Sequence, residues 1–371
     1  MGSYRPYIFF GSIPLALSFI LLFWVPPFEG SLLFVFLIIV NIFHRTCFTI
    51  VSVPYSSLTA RISDDSEERT KLTTARMLGA SFGTLSISAL GFPIINWFGS
   101  GEESLGFVYL GICSGLAAIL ILAITVKTVK ERNFDIEFSK LPSFSEVSKS
   151  IVNNYAFLIV FASTLTLITT SIMFNKNLIY YTKYALGLHE YQGLILGVSS
   201  ASAFLAIPIW AYFALKIGKR NSWLISMSLL VFSFLFFYLY PIKNLIELLI
   251  VLIALGIGNG ATGVLFWSML PDTIEYGEWK TGVRTESSLY GFMTFAQKGG
   301  IAISALILGM LLTNIGFIPN TVQSEETLES LKSLMTFIPL AGVVISFILV
   351  YFYPIDSKFH KKLIREINER S

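Results

Sequence analysis

Apolar residues in this 371-residue chain collect into long runs separated by short polar stretches, with little short-period alternation. Ten runs are long enough to span a bilayer, at about residues 7–25, 31–55, 77–98, 106–126, 155–175, 192–215, 222–240, 245–270, 287–313 and 333–353. At roughly 1.5 Å of rise per residue, about 20 residues cross a hydrocarbon core of about 30 Å, so each run predicts a transmembrane helix. The expected fold class is all-α integral membrane.

Composition points the same way. The chain is 54% hydrophobic and 13% charged, with mean hydropathy +0.71, whereas soluble domains carry about 25% charged residues. A net charge of only +3 argues against a nucleic-acid partner. Of 26 Lys and Arg residues, 20 fall on the loops of one face, four on the other, and Arg45 and Lys298 lie within spans. The positive-inside rule then predicts a multi-pass cell-membrane protein with both termini cytoplasmic. Cys47 and Cys113 sit in apolar runs without metal-ligand spacing and read as packing residues. With three His residues and no nucleophile beside a base, neither an enzyme, a metal site nor a cofactor is expected.

The longest polar connection, 127–153, divides the spans four and six. This predicts an N-terminal bundle over 1–126, a cytoplasmic connection over 127–153, a six-helix bundle over 154–355 and a tail over 356–371. Two short correspondences suggest an internal six-helix repeat: the basic turn at Arg5 with that at Lys219-Arg220, and Glu67-x-Arg69 with Glu278-x-Lys280. The expectation is a first half lacking two helices of an expected twelve.

One stretch concentrates ionisable groups. Asp272, Glu275, Glu278, Lys280, Arg284 and Glu286 fall within fifteen residues. They read as a loop at a membrane face, and the next span carries Lys298 near mid-depth, where an ionisable group is costly and a functional candidate.

Two segments carry a family resemblance. Val53-Pro54-Tyr55-Ser56-Ser57-Leu58 with Ser63-Asp64-Asp65-x-Glu67-Glu68-Arg69-Thr70, and Asp272-x-x-Glu275-Tyr276-Gly277-Glu278-Trp279-Lys280-x-Gly282-Val283-Arg284-x-Glu286 with Phe295-Ala296-Gln297-Lys298-Gly299, resemble signatures of the glycoside/pentoside/hexuronide:cation symporters. That family, melibiose permease-like, lies within the major facilitator superfamily. The resemblance implies two bundles rocking about a central site and solute uptake driven by a cation, proton or sodium. It also implies sugar or cation contacts at Lys298, Arg76 and Thr49. Ser52 and Ser56 stand where sodium-coupled melibiose permeases have an aspartate and a tryptophan, which opens the alternatives of a different solute, such as a lysolipid, and of an inactive truncated chain.

Arg45, with His44 and Asn41, predicts a polar stripe on the second span, and Thr49 and Ser52 share a helical face. Tyr290, two turns before Lys298, offers a ring to stack on a sugar, and Asn259 is the polar group of a glycine-rich run read as close helix packing. Asp272, Glu275, Glu278, Lys280, Arg284 and Glu286 are expected to pair with Arg61, Arg69 and Arg76 as a cytoplasmic gate. The expected partners are a small solute, with a sugar favoured, and the lipid bilayer; no oligomer is required.

Overall fold

The computed structural model describes residues 2, 4–63, 65–99, 102–129, 131, 144–319 and 321–370. Among these residues all regular structure is helical: α1 (Arg5–Phe23), α2 (Gly30–Ile62), α3 (Ser66–Gly99), α4 (Glu103–Thr128), α5 (Phe144–Asn153), α6 (Tyr155–Tyr184), α7 (Gln192–Ile217), α8 (Lys219–Leu239), α9 (Leu245–Thr281), α10 (Glu286–Asn314), α11 (Glu325–Tyr351) and α12 (Ser357–Arg370). Each expected span corresponds to one of ten long helices, the first, seventh and tenth running one or two residues past the ends of α1, α8 and α11, and among the described residues nine helices are long and apolar enough to cross a membrane. The short amphipathic helices α5 and α12 were not expected: α5 occupies part of the connection and α12 the tail.

The chain packs as two units, Met1–Asp64 with Gly79–Leu141 and Asp65–Leu78 with Pro142–Ser371. In the first, α1 packs on both α2 and α4, around Ile8, Val51, Leu58 and Val126. In the second, α9 packs on α7 and α8, and α11 on α6 and α8. Trp223, Met227, Leu230 and Phe237 of α8 are almost fully buried there. The first turns of α3 belong to this unit, and its Met77 and Leu78 pack against Ile207, Ala211 and Val264. Large apolar side chains also point outward, Leu116 at 63% exposure and Phe232 at 71% among them. On a water-facing surface such patches would drive association; on spanning helices they meet lipid.

Small residues set the closest helix approach. A Cβ at Gly260 would lie 2.5 Å from the Ala203 carbonyl oxygen and 2.9 Å from the Ala206 Cβ, so the glycine-rich run of α9 is packing surface against α7, as its sequence indicates.

The charged stretch departs from expectation. Pro271–Thr281 is not a loop but the last turns of α9, and the break comes only at Gly282, which caps the helix at φ 71. A left-handed residue favours glycine because a Cβ would clash there. Hydropathy marks where a helix leaves the hydrocarbon, not where it ends. The backbone hydrogen bonds of α9 run on past that point, and its acids at 272, 275 and 278 recur at helical spacing.

Candidate functional site: a buried charge cluster and a polar cavity

Two turns of α9 assemble a buried charge cluster. Asp272 and Glu275 are 3% and 2% exposed, and an unpaired carboxylate at such depth would cost several kcal/mol. Three basic residues meet them. Arg69, fully buried on α3, hydrogen-bonds through Nη2 to the Glu275 carboxylate and has Nη1 3.8 Å from Asp272. Lys219 at the start of α8 donates at 2.7 Å to Asp272 Oδ2 and at 2.7 Å to the Ser268 carbonyl. His360 Nε2, on α12, donates to the other Glu275 oxygen at 2.6 Å and lies 3.7 Å from Asp272. Burial alone would pull the His360 pKa down, but Asp272 and the hydrogen bond to Glu275 outweigh it and hold the imidazole above its ordinary value.

Asp272, Glu275 and His360 bring one potential ligand atom each within 4.8 Å of one another. Metal binding fits this donor set poorly, because Arg69 and Lys219 already neutralise both carboxylates. The arrangement is an ion-pair network, not a cation trap.

The expected gate residues therefore divide. Asp272, Glu275 and Arg69 come together, while Glu278 and Glu286 instead flank Arg284, at 2.7 and 3.1 Å. Arg284, outside the spans, is held above its ordinary pKa against burial by these two acids. Lys280 lies 5.8 Å from the Tyr276 ring centroid, on the exposed side of α9. Arg76 stacks 4.4 Å over the Trp267 ring. The side chain of Arg61 lies outside the described residues. Sequence reasoning missed Lys219 and His360. The basic turn at Lys219 and the apolar spacing of Phe359 and Leu363 were available signals, but both partners are far in sequence from α9.

The second feature is a cavity of about 280 Å³ in the second unit, bounded by α6, α7, α8 and α9. Its polar lining is neutral: Thr164, Ser171, Asn175, Ser199, Asn259 and Thr262, with the rings of Trp223 and Phe266. Asn259 accepts a hydrogen bond from Ser171 at 3.4 Å and donates to the Leu255 carbonyl at 3.1 Å. The Thr164 hydroxyl oxygen is buried and has no hydrogen-bond partner among the described residues. Asn259 thus lines a cavity, as one reading of the sequence holds; Thr164, Asn175 and Ser199 carry no motif and were not foreseen. Tyr290 is fully buried and stacks on Trp267 at 6.1 Å, while Lys298 is half-buried on α10. Neither lines this cavity.

In the first unit, Arg45 and Thr49 border an open, mostly apolar groove with Tyr7 and Pro54. Thr49 donates at 2.8 Å to the Arg45 carbonyl one turn back, and the buried Ser52 hydroxyl has no partner. His44 Nδ1 is 3.1 Å from Ser18 Oγ.

The polar cavity and the buried charge cluster both lie in the second unit. The profile of the MFS/sugar transport protein family matches residues 1–357. The chain is 27% identical over 375 residues to the glucuronide carrier protein homolog of Escherichia coli K12, spanning all of this chain and 81% of that protein. It is likewise 27% identical to the isoprimeverose transporter of Lactiplantibacillus pentosus, over all of this chain and 77% of that one. Among solved structures, a variant of the Escherichia coli fucose:proton symporter FucP superposes with TM-score 0.69 at 14% identity, covering 95% of this chain and 85% of that one. The chain belongs to the MFS/sugar transport protein family. It has the major facilitator superfamily fold and is a transporter, not an enzyme.

Proposed function

We propose that the chain is a secondary active transporter that moves a sugar, a glycoside, pentoside, hexuronide or related compound, together with a proton or sodium ion by alternating access. The observation that carries the sugar assignment is the neutral cavity of the second unit. Hydroxyls and amides from α6, α7 and α9 meet beside the Trp223 and Phe266 rings, a combination suited to a polyhydroxylated ring. At about 280 Å³ the cavity sits at the lower edge of the roughly 300–1,000 Å³ typical of small-molecule sites, room for one sugar ring. A lysolipid is not favoured, since an acyl chain has no use for such a lining. The glucuronide carrier protein homolog and the isoprimeverose transporter among its relatives support the same reading.

Asn259 is assigned to solute hydrogen bonding. Lys298, Arg76 and Tyr290, with Arg45, Thr49 and Ser52 in the first unit, are carried as further solute or cation contacts on the strength of their positions in the sequence. The Asp272–Glu275–Arg69–Lys219 cluster is the cytoplasmic gate in this reading, with both termini on the same side by charge distribution. Several buried pairs of this kind can bias two conformations separated by a few kcal/mol.

The test is uptake of radiolabelled glycosides and pentosides into proteoliposomes containing the protein, with Asn259→Ala as the comparison. Saturable uptake weakened about tenfold in apparent affinity by Asn259→Ala supports the site, since truncating a hydrogen-bonding group in a buried site costs about 1–3 kcal/mol. Saturable uptake unaffected by Asn259→Ala removes the cavity from the transport path.

A further inference from the structure

The C-terminal helix is wired into the charge cluster by a titratable group. From α12, Leu363 is 1% exposed and Phe359 packs on the Trp279 ring at 5.7 Å. Glu366 accepts a hydrogen bond from Trp279 Nε1 at 2.6 Å. His360 is buried as well, at 4% exposure, and it shares Glu275 with Arg69: one carboxylate oxygen receives each. Its other charged neighbours are Asp272, on the same helix as Glu275, and Lys219, while the fully buried Tyr353 lies within electrostatic reach of both acids. Arg69 and Lys219 face the two carboxylates, and His360 is the member of the cluster whose ordinary pKa lies near neutral pH.

We propose that His360 is a proton-dependent latch: its imidazolium clamps α12 onto the end of α9, and loss of that proton weakens the clamp. The neutral Nε2–H tautomer can still donate to Glu275, so deprotonation removes the charge attraction and leaves the hydrogen bond. Burial opposes the imidazolium, Asp272 and Glu275 favour it, and the balance is a raised pKa. The sign follows from linkage. Docking that raises a pKa is fully favoured below the ordinary histidine value and fades as pH rises through the docked one. Because Glu275 also holds Arg69, the helix reports the pH of the compartment it faces to the ion pair proposed as the gate. That last consequence rests on the gate reading; the docking itself does not.

Hydrogen exchange of the full-length protein in lipid nanodiscs tests the latch without reference to transport. Protection of backbone amides over residues 357–370, corrected for intrinsic exchange, is followed from about pH 6 to about pH 9 in the native protein, His360→Lys and His360→Gln. The native helix loses protection by about tenfold for each unit by which docking raises the histidine pKa. His360→Lys, whose charge is fixed over this range, removes that pH dependence, and His360→Gln leaves the helix weakly protected and pH-independent. A flat native profile overturns the proposal and needs no variant to fold. So does a His360→Gln profile that tracks the native one. Failure of the gate reading shows separately, as transport indifferent to Arg69→Leu while the exchange profile stands.

Discussion

Replacing Arg69 by leucine isolates the strongest contact in the charge cluster. Arg69 is fully buried and Glu275 nearly so. The Glu275 carboxylate accepts one hydrogen bond from Arg69 and one from His360, while Lys219 is directed to Asp272. Arg69→Leu therefore leaves one carboxylate oxygen buried without its cation. Breaking a buried pair by removing one partner costs about 3–5 kcal/mol, and the surviving histidine keeps the loss near the lower figure. About 3 kcal/mol corresponds to a shift of roughly 150-fold in a two-state equilibrium. At the ~2–4 °C per kcal/mol typical of units of this size it lowers the unfolding midpoint by roughly 6–12 °C. Removing both charges, as Arg69→Leu with Glu275→Leu, recovers more than half of that loss, because the cost is the orphaned charge and not the missing attraction. The assay is thermal unfolding of purified protein followed by intrinsic fluorescence. An unchanged midpoint in Arg69→Leu, or a double variant whose loss equals the sum of the two single losses, refutes the coupling.

Other consequences are more local. Arg284→Ala, which takes a cation from the buried Glu286 and from the partly exposed Glu278, lowers stability by up to about 3–5 kcal/mol, chiefly through Glu286, checked by the same thermal assay. Gly260→Leu drives a side chain into the Ala203 carbonyl of α7; overpacking costs about 1–3 kcal/mol where neighbours can yield and more against backbone, so a lowered unfolding midpoint and reduced membrane yield are expected. Ser171→Ala, which removes the hydroxyl donating to Asn259, weakens solute affinity several-fold with little change in the unfolding midpoint, measured by equilibrium binding of the transported sugar. Stability of the second unit falls as pH rises through the raised pKa of His360, and His360→Gln flattens that slope in pH-dependent thermal unfolding.

Which of these features the sequence announces depends on the physics behind them. Spanning helices were legible because a bilayer demands about 20 consecutive apolar residues, a signal carried wholly within each segment. The same signal misplaced the ends. α6 continues to Tyr184 through Asn175, Lys176 and Asn177, and α9 to Thr281 through three acids, since a helix outlasts the hydrocarbon that selected it. Arg69 and the α9 acids were singled out by their charge, and the structure joins Arg69 to Asp272 and Glu275. Lys219 and His360, 53 residues before Asp272 and 85 after Glu275, complete the cluster only through tertiary packing. The polar cavity was the least legible part. Its serines and threonines resemble the hydroxyls that α-helices satisfy with their own carbonyls, as Thr49 does, and nothing in their spacing marks the ones that tertiary packing brings to one cavity.

Coupled sugar transport is read out as solute accumulation in proteoliposomes under an imposed gradient. With a panel of neutral and acidic glycosides and pentosides, one member accumulates above its equilibrium level when an inward proton or sodium gradient is applied, and accumulation collapses when that gradient is dissipated. Equilibration of that solute to the same level with and without either cation gradient, at a rate the protein accelerates, would contradict coupling and leave a passive carrier.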